Sequence, residues 1–73
     1  MKWRSIEKYP PPRKESILAA WIYDEYIEGV EWYLIDDADN WWNLNSNNLN
    51  IFNEDHPPPT HWCEFEVKVS NID

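Results

Sequence analysis

Hydrophobic and polar positions alternate most regularly near the end of the chain, where Cys63, Phe65, Val67 and Val69 interleave with Glu64, Glu66, Lys68 and Ser70. A period of two with one apolar and one charged side is the pattern of a half-buried strand, so a β-strand is predicted over residues 63–70. The middle of the chain admits two readings. Wound as a helix, Leu18, Ala19, Ile22, Tyr23, Tyr26, Ile27, Val30 and Leu34 fall on one side, with Asp24, Glu28 and Glu31 on the other. Laid out as strands, Ile17 to Tyr23 and Val30 to Ile35 are two runs rich in β-branched and aromatic residues. A polar connection holding the only glycine, Gly29, would join them, and the turn-like Asp36-Asp37-Ala38-Asp39-Asn40 would end the second. Periodicity alone slightly favours the helix.

Breakers punctuate this pattern. Pro10 to Pro12 and Pro57 to Pro59 fix φ and remove backbone donors, so neither helix nor inner strand can run through them. The Asn-rich tract from Asn43 to Asn53 has only Leu44, Leu49, Ile51 and Phe52 as apolar anchors. Asn competes for backbone hydrogen bonds and tolerates left-handed turns, so a long loop is expected at about residues 43–56. The whole chain, residues 1–73, reads as one small domain.

Seventy-three residues lie near the lower limit for a self-sufficient core. Six Trp, four Tyr and two Phe offset this in part, since each buried aromatic removes roughly 150–250 Å² from water. A homodimer could supply the rest. Trp3, Trp32 and Trp62 are the expected core indoles. Trp41 and Trp42 are adjacent, so in an extended chain they point to opposite faces and one is expected to be exposed.

The formal charge of -8 arises from 14 acids against 6 bases, and Lys2, Arg4, Lys8, Arg13 and Lys14 all precede residue 15. Everything after them is almost purely anionic. Such a chain repels phosphate backbones, which argues against direct nucleic-acid binding and favours a basic protein partner. The single Cys63 cannot form an internal disulfide, no long apolar run suggests a membrane span, and the first residues lack the apolar core of a secretory signal. A cytoplasmic location is the expectation.

Candidate chemistry is sparse. Asp55, His56, His61 and Cys63 come nearest to a metal site, but a structural zinc site wants four ligands in paired short spacings and a second pair is missing. A Cys63–His61 nucleophile pair would need a cationic setting to lower the thiol pKa, whereas Glu64 and Glu66 flank it. No catalytic residue, metal or cofactor is therefore expected, and the chain reads as a non-enzyme.

Residues at both ends carry a family likeness. Trp3, Ser5 and Ile6 precede Pro10-Pro11, then come Ile17-Leu18, Val30 with Trp32-Tyr33, Trp41 or Trp42, and finally Thr60-His61-Trp62. This order resembles a family of small phage and prophage domains of unknown function that open with Trp-x-Ser-[Ile/Val] and close with Thr-His-Trp. The family's close usually continues Met-Pro-Leu-Pro, while here Cys63-Glu64-Phe65-Glu66 follows and lengthens the last strand. The resemblance implies a small sheet-based domain of phage origin. With it, the expected fold class is mainly β, a small antiparallel meander with an α+β variant allowed. The runner-up has a helix across residues 16–35.

Charge and resemblance together point to a phage-encoded, non-enzymatic inhibitor. Its expected partner is a basic, nucleic-acid-handling host protein such as a CRISPR effector or restriction enzyme, engaged by acidic nucleic-acid mimicry. Asp24, Glu25, Glu28, Glu31, Asp36, Asp37 and Asp39 would enter a cationic groove, and Trp41 or Trp42 would anchor the contact, as interface hot spots favour Trp. The alternative is a sponge for a nucleotide signal, with aromatics stacked on the base and Arg4, Arg13 or Lys14 on phosphate.

Overall fold

A computed structural model describes residues 2–64, and it is all-β: those residues form six strands and no helix. The strands are β1 (Arg4–Ser5), β2 (Ser16–Tyr23), β3 (Tyr26–Ile35), β4 (Trp41–Asn43), β5 (Asn48–Asn50) and β6 (His61–Glu64). They make one sheet in the order β1-β6-β2-β3-β4-β5, with every neighbouring pair antiparallel. Strands β2 to β5 are a meander. β6 then returns to the far side of β2 and takes β1 on its outer edge.

The helix across residues 16–35 does not form. Ile17 to Ile22 is a continuous apolar run, which fits a central strand with both faces covered better than a helix with one wet side. β2 has that place, between β3 and β6, and residues 17–20 are all buried. The chain reverses at Asp24 and Glu25, whose φ values of 51° and 70° put both in the left-handed region of a two-residue hairpin turn. Gly29 is thus not the connection. It lies inside β3 opposite Trp21, next to a bulge where the register slips between Trp21 and Ile22. The second strand accordingly begins at Tyr26 rather than Val30.

The Asn tract is not one loop either. Asn48–Asn50 pair with β4 as a fifth strand. The asparagines shape the turns around it. Asn43 Oδ1 accepts from the backbone N–H groups of Asn45 (2.9 Å) and Ser46 (3.1 Å), and Asn47 takes a φ of 56°. Asn53 Oδ1 does the same for Asp55 and His56, both at 2.9 Å. The strand expected over residues 63–70 begins as β6; residues 65–70 of it lie outside the described residues.

Alternating side chains give the sheet two unlike faces. One carries Ile17, Ala19, Tyr33, Ile35 and Trp62, all buried, with Ile6, Trp21, Trp41 and Phe52 packed on them. β5 and β6 run in the same direction, so their connection must cross a face of the sheet. Residues 51–60 make that crossing as an arch over the aromatic face, fixed by a 2.8 Å bond from Trp21 Nε1 to the Pro57 carbonyl. Tyr33, Trp41 and Phe52 meet beneath it edge to face, with centroids 5.3–6.0 Å apart. Each such contact contributes about 0.5–1.5 kcal/mol beyond burial. On the opposite face, Val30, Trp42 and Leu49 are exposed.

The two terminal motifs meet at β6. Arg4 pairs with Trp62 across the β1–β6 ladder, the Ile6 N–H donates to the Thr60 carbonyl at 3.0 Å, and Trp62 Nε1 donates to the Tyr9 carbonyl at 2.6 Å. Of the expected core indoles Trp62 is buried, whereas Trp3 and Trp32 are half-buried. Thr60 stands where β6 runs out alongside β2. Its hydroxyl accepts from the Ile22 N–H at 2.9 Å and lies 3.3 Å from the Ala20 and Ile22 carbonyls, substituting for the missing strand. Thr60→Val keeps the shape but leaves Ile22 without its acceptor, and urea unfolding should show a loss of about 1–3 kcal/mol, with Thr60→Ser much closer to the parent.

Candidate functional site

The acids singled out from the sequence separate into three places. Asp24 and Glu25 form the tip of the β2–β3 hairpin. Asp36, Asp37 and Asp39 lie in the β3–β4 turn, at the other end of a ten-residue strand and so about 30 Å away. Between them Glu28 and Glu31 line a cleft beneath the arch. They do not form one continuous patch.

The β3–β4 turn uses its carboxylates internally. Asp36 Oδ1 accepts from the backbone N–H groups of Ala38 and Asn40, both at 2.9 Å, while Oδ2 accepts from Trp42 Nε1 at 3.0 Å and Asn40 Nδ2 at 3.1 Å. The Trp42 indole, more than the remaining donors, holds the Asp36 carboxyl down at about 2, below its ordinary 3.8. Asp37 pairs with Lys14 at 2.8 Å, and Asp39 pairs with Arg13. These are the two ion pairs among the described residues.

The two adjacent tryptophans divide between the faces as alternation requires. Trp41 packs into the aromatic cluster, and Trp42 is 39% exposed on the opposite face. The cations proposed to meet phosphate are also placed: Arg13 and Lys14 are in their ion pairs, and Arg4 sits 5.6 Å from the Trp62 ring centroid.

The cleft has a volume of about 650 Å³ and lies between the aromatic face and the arch. It opens where Gly29 contributes no side chain, opposite Trp21; a Cβ there would stand 3.4 Å from Trp21 Cε3. Trp21, Tyr33 and Phe52 supply aromatic walls, and Glu28, Glu31 and Asp55 supply carboxylates. Glu31 Oε2 is steadied by Asn45 Nδ2 at 3.0 Å and Asn43 Nδ2 at 3.5 Å. Burial, together with the Glu31 charge, pushes the Tyr33 hydroxyl above its usual range, against a smaller opposing effect from Asn43. None of the three carboxylates has a cationic partner among the described residues.

Sequence reasoning placed Glu28 and Glu31 among the candidates but missed Trp21, Tyr33, Phe52 and Asp55 as their neighbours. The period-two pattern of β2 and β3 does pair Trp21 with the Tyr33 face. Nothing in the sequence marks the crossing of the arch that brings Phe52 and Asp55 over it.

The remaining reactive groups are elsewhere. Cys63 is buried, which pushes its thiol up, and His61 Nδ1 is 2.7 Å from the Thr60 hydroxyl. Among the described residues no three His, Cys, Asp or Glu side chains gather as metal ligands, and no helix is long and apolar enough to cross a membrane. No protein-family model, no curated protein and no solved structure matches this chain.

Two predictions rest on these turns. A carboxylate whose folded pKa is depressed stabilises the fold above its unfolded pKa and loses that contribution as pH falls through the folded value. The stability advantage of the parent over Asp36→Asn should be complete above about pH 4, shrink as pH falls from 3.8, and be lost near 2, as read from thermal unfolding across that window. At the hairpin tip, Glu25 holds a left-handed φ of 70° without being glycine. Glu25→Gly should raise stability by about 0.5–1 kcal/mol in urea, the relief of the Cβ clash less the entropy of the new glycine.

Proposed function

We propose that this domain is a non-enzymatic binding module of phage type that inhibits a basic host protein, such as a nucleic-acid-handling defence component of the CRISPR or restriction kind. The phage origin rests on the likeness of the Trp3-Arg4-Ser5-Ile6 opening and the Thr60-His61-Trp62 close to small phage domains. Partner polarity rests on the net charge of -8. The observation that carries the reading is the distribution of uncompensated acids. Arg13 and Lys14 offset two of the three acids in the β3–β4 turn, whereas Asp24, Glu25, Glu28, Glu31 and Asp55 face no cation among the described residues. Unpaired carboxylates are thus gathered at the hairpin tip and the cleft, and a positively charged surface would be attracted there. Retaining two acids at strained left-handed positions also fits a tip selected for contact rather than for stability.

The nucleotide-sponge alternative is less well supported. A cleft lined by Glu28, Glu31 and Asp55 repels phosphate, and of the cations suited to a phosphate Arg13 and Lys14 already have partners while Arg4 is on the β1 edge, two strands from β2. A buried Cys63 with a raised thiol pKa gives little support to thiolate chemistry.

Immobilised protein should retain a basic partner from host lysate with an affinity that falls at least about tenfold between low and high salt, because attraction between exposed charges is screened within a Debye length of about 3 Å at 1 M. Neutralising Asp24, Glu25, Glu28 and Glu31 together should mimic high salt. Neutralising Asp37 and Asp39 should not. Retention that is flat with salt would overturn the electrostatic reading.

A further inference from the structure

We infer that the cleft beneath the arch is a receptor for a guanidinium group, namely an arginine side chain presented by the basic partner; this deepens the reading above and rests on it. Three features of the walls point to that chemistry. Trp21, Tyr33 and Phe52 offer aromatic surface, with Tyr33 lying 6.4 Å from Trp21 and 6.0 Å from Phe52 between ring centroids. A cation over such rings gains from the ring quadrupole, and more so away from bulk water. Glu28, Glu31 and Asp55 supply acceptors of the opposite charge and have no cation of their own among the described residues. Asn45 and Asn43 hold Glu31 Oε2 in place, which lowers the ordering cost of a bound partner.

Asn50 also lines the cleft, in the Trp41 row of the sheet and so away from Glu31. Guanidinium carries five donors and no acceptor in a planar fork, is weakly hydrated, and stacks on aromatic rings. A neutral apolar ligand would leave the carboxylates unpaired. An anion would be repelled. A bare metal ion is not served either, since no three ligating side chains converge among the described residues. A volume of about 650 Å³ exceeds one guanidinium, leaving room for the arginine stem and the backbone that presents it. His56 is also in the wall, on the arch beside Asp55, and is the one group there that could carry positive charge.

The test is titration of the intact protein with acetyl-Gly-Arg-Gly-amide, followed by ¹H–¹⁵N correlation spectra that include the Trp21 indole N–H. The same peptide with citrulline keeps the shape and removes the charge, and the lysine peptide keeps the charge and removes the fork. The arginine peptide should shift Trp21, Gly29 and Asn50 resonances, bind at least tenfold more tightly than the citrulline peptide, and exceed the lysine peptide severalfold. E31Q should weaken it at least fivefold. D55N, on the exposed arch, gives a second variant whose folding is not in question. Equal binding of arginine and citrulline peptides, shifts centred away from the cleft, or no binding would each overturn the inference. If the arginine peptide fails while partner capture stays salt-sensitive, the cleft falls and the wider reading stands. If it binds while capture is flat with salt, the wider reading falls and the guanidinium receptor stands.

Discussion

The direction of one strand controls most of this molecule. Because β6 lies beyond β2 and runs parallel to β5, the chain must recross the sheet, and ten residues that include three consecutive prolines make that crossing. A single small sheet has no second layer of its own, and a sheet with both faces in water cannot bury enough to fold. The arch supplies a partial layer. Phe52 closes the aromatic cluster, and Trp21 is tied to Pro57 by a hydrogen bond. It also leaves a space, since a segment this short and rigid cannot follow the pleated surface everywhere. The cleft thus arises from the same crossing that makes the core.

Thr60 and Trp62 secure the far end of that crossing, and this gives the terminal motifs a physical meaning. Thr60 satisfies β2 where β6 ends, and Trp62 is buried with its indole N–H on the Tyr9 carbonyl. The segments at the two ends of the described chain therefore act together as a clasp on β1 and β6.

Fold class was legible in the sequence, but the boundaries were not, for identifiable reasons. Ile17 to Leu34 satisfies both periods because β2 is apolar on both faces and β3 nearly so, and only the central place of β2 explains that. Gly29 drew the expected turn toward itself, yet Asp24 and Glu25 reverse the chain, since acids can hold a left-handed φ when flanking strands impose it. The Asn tract concealed a strand because three residues of β5 are held by ladder bonds to β4, not by their own propensity. The Trp41–Trp42 step behaved as pleating demands, one indole to each face. The acids were read by spacing along the chain, and a ten-residue strand places neighbours in sequence at opposite ends of the sheet.

Two surfaces are open to a partner, and they make different demands. On the face opposite the arch Leu18, Ala20 and Cys63 are buried while Val30, Trp42 and Leu49 are exposed, an apolar surface that selects for shape and area but is indifferent to sign of charge. The cleft side combines aromatic rings with carboxylates that no internal cation compensates. For a chain of net charge -8, approach by any macromolecule is governed first by the field, because charge acts beyond contact range whereas apolar burial acts only at contact. The fold spends its described ion pairs on the β3–β4 turn and withholds them from the hairpin and the arch. A protein stabilising itself alone would gain by pairing Glu31 with one of those cations. Standing instead beside Tyr33 and held only by two amides, Glu31 keeps its charge available to the cationic partner proposed above.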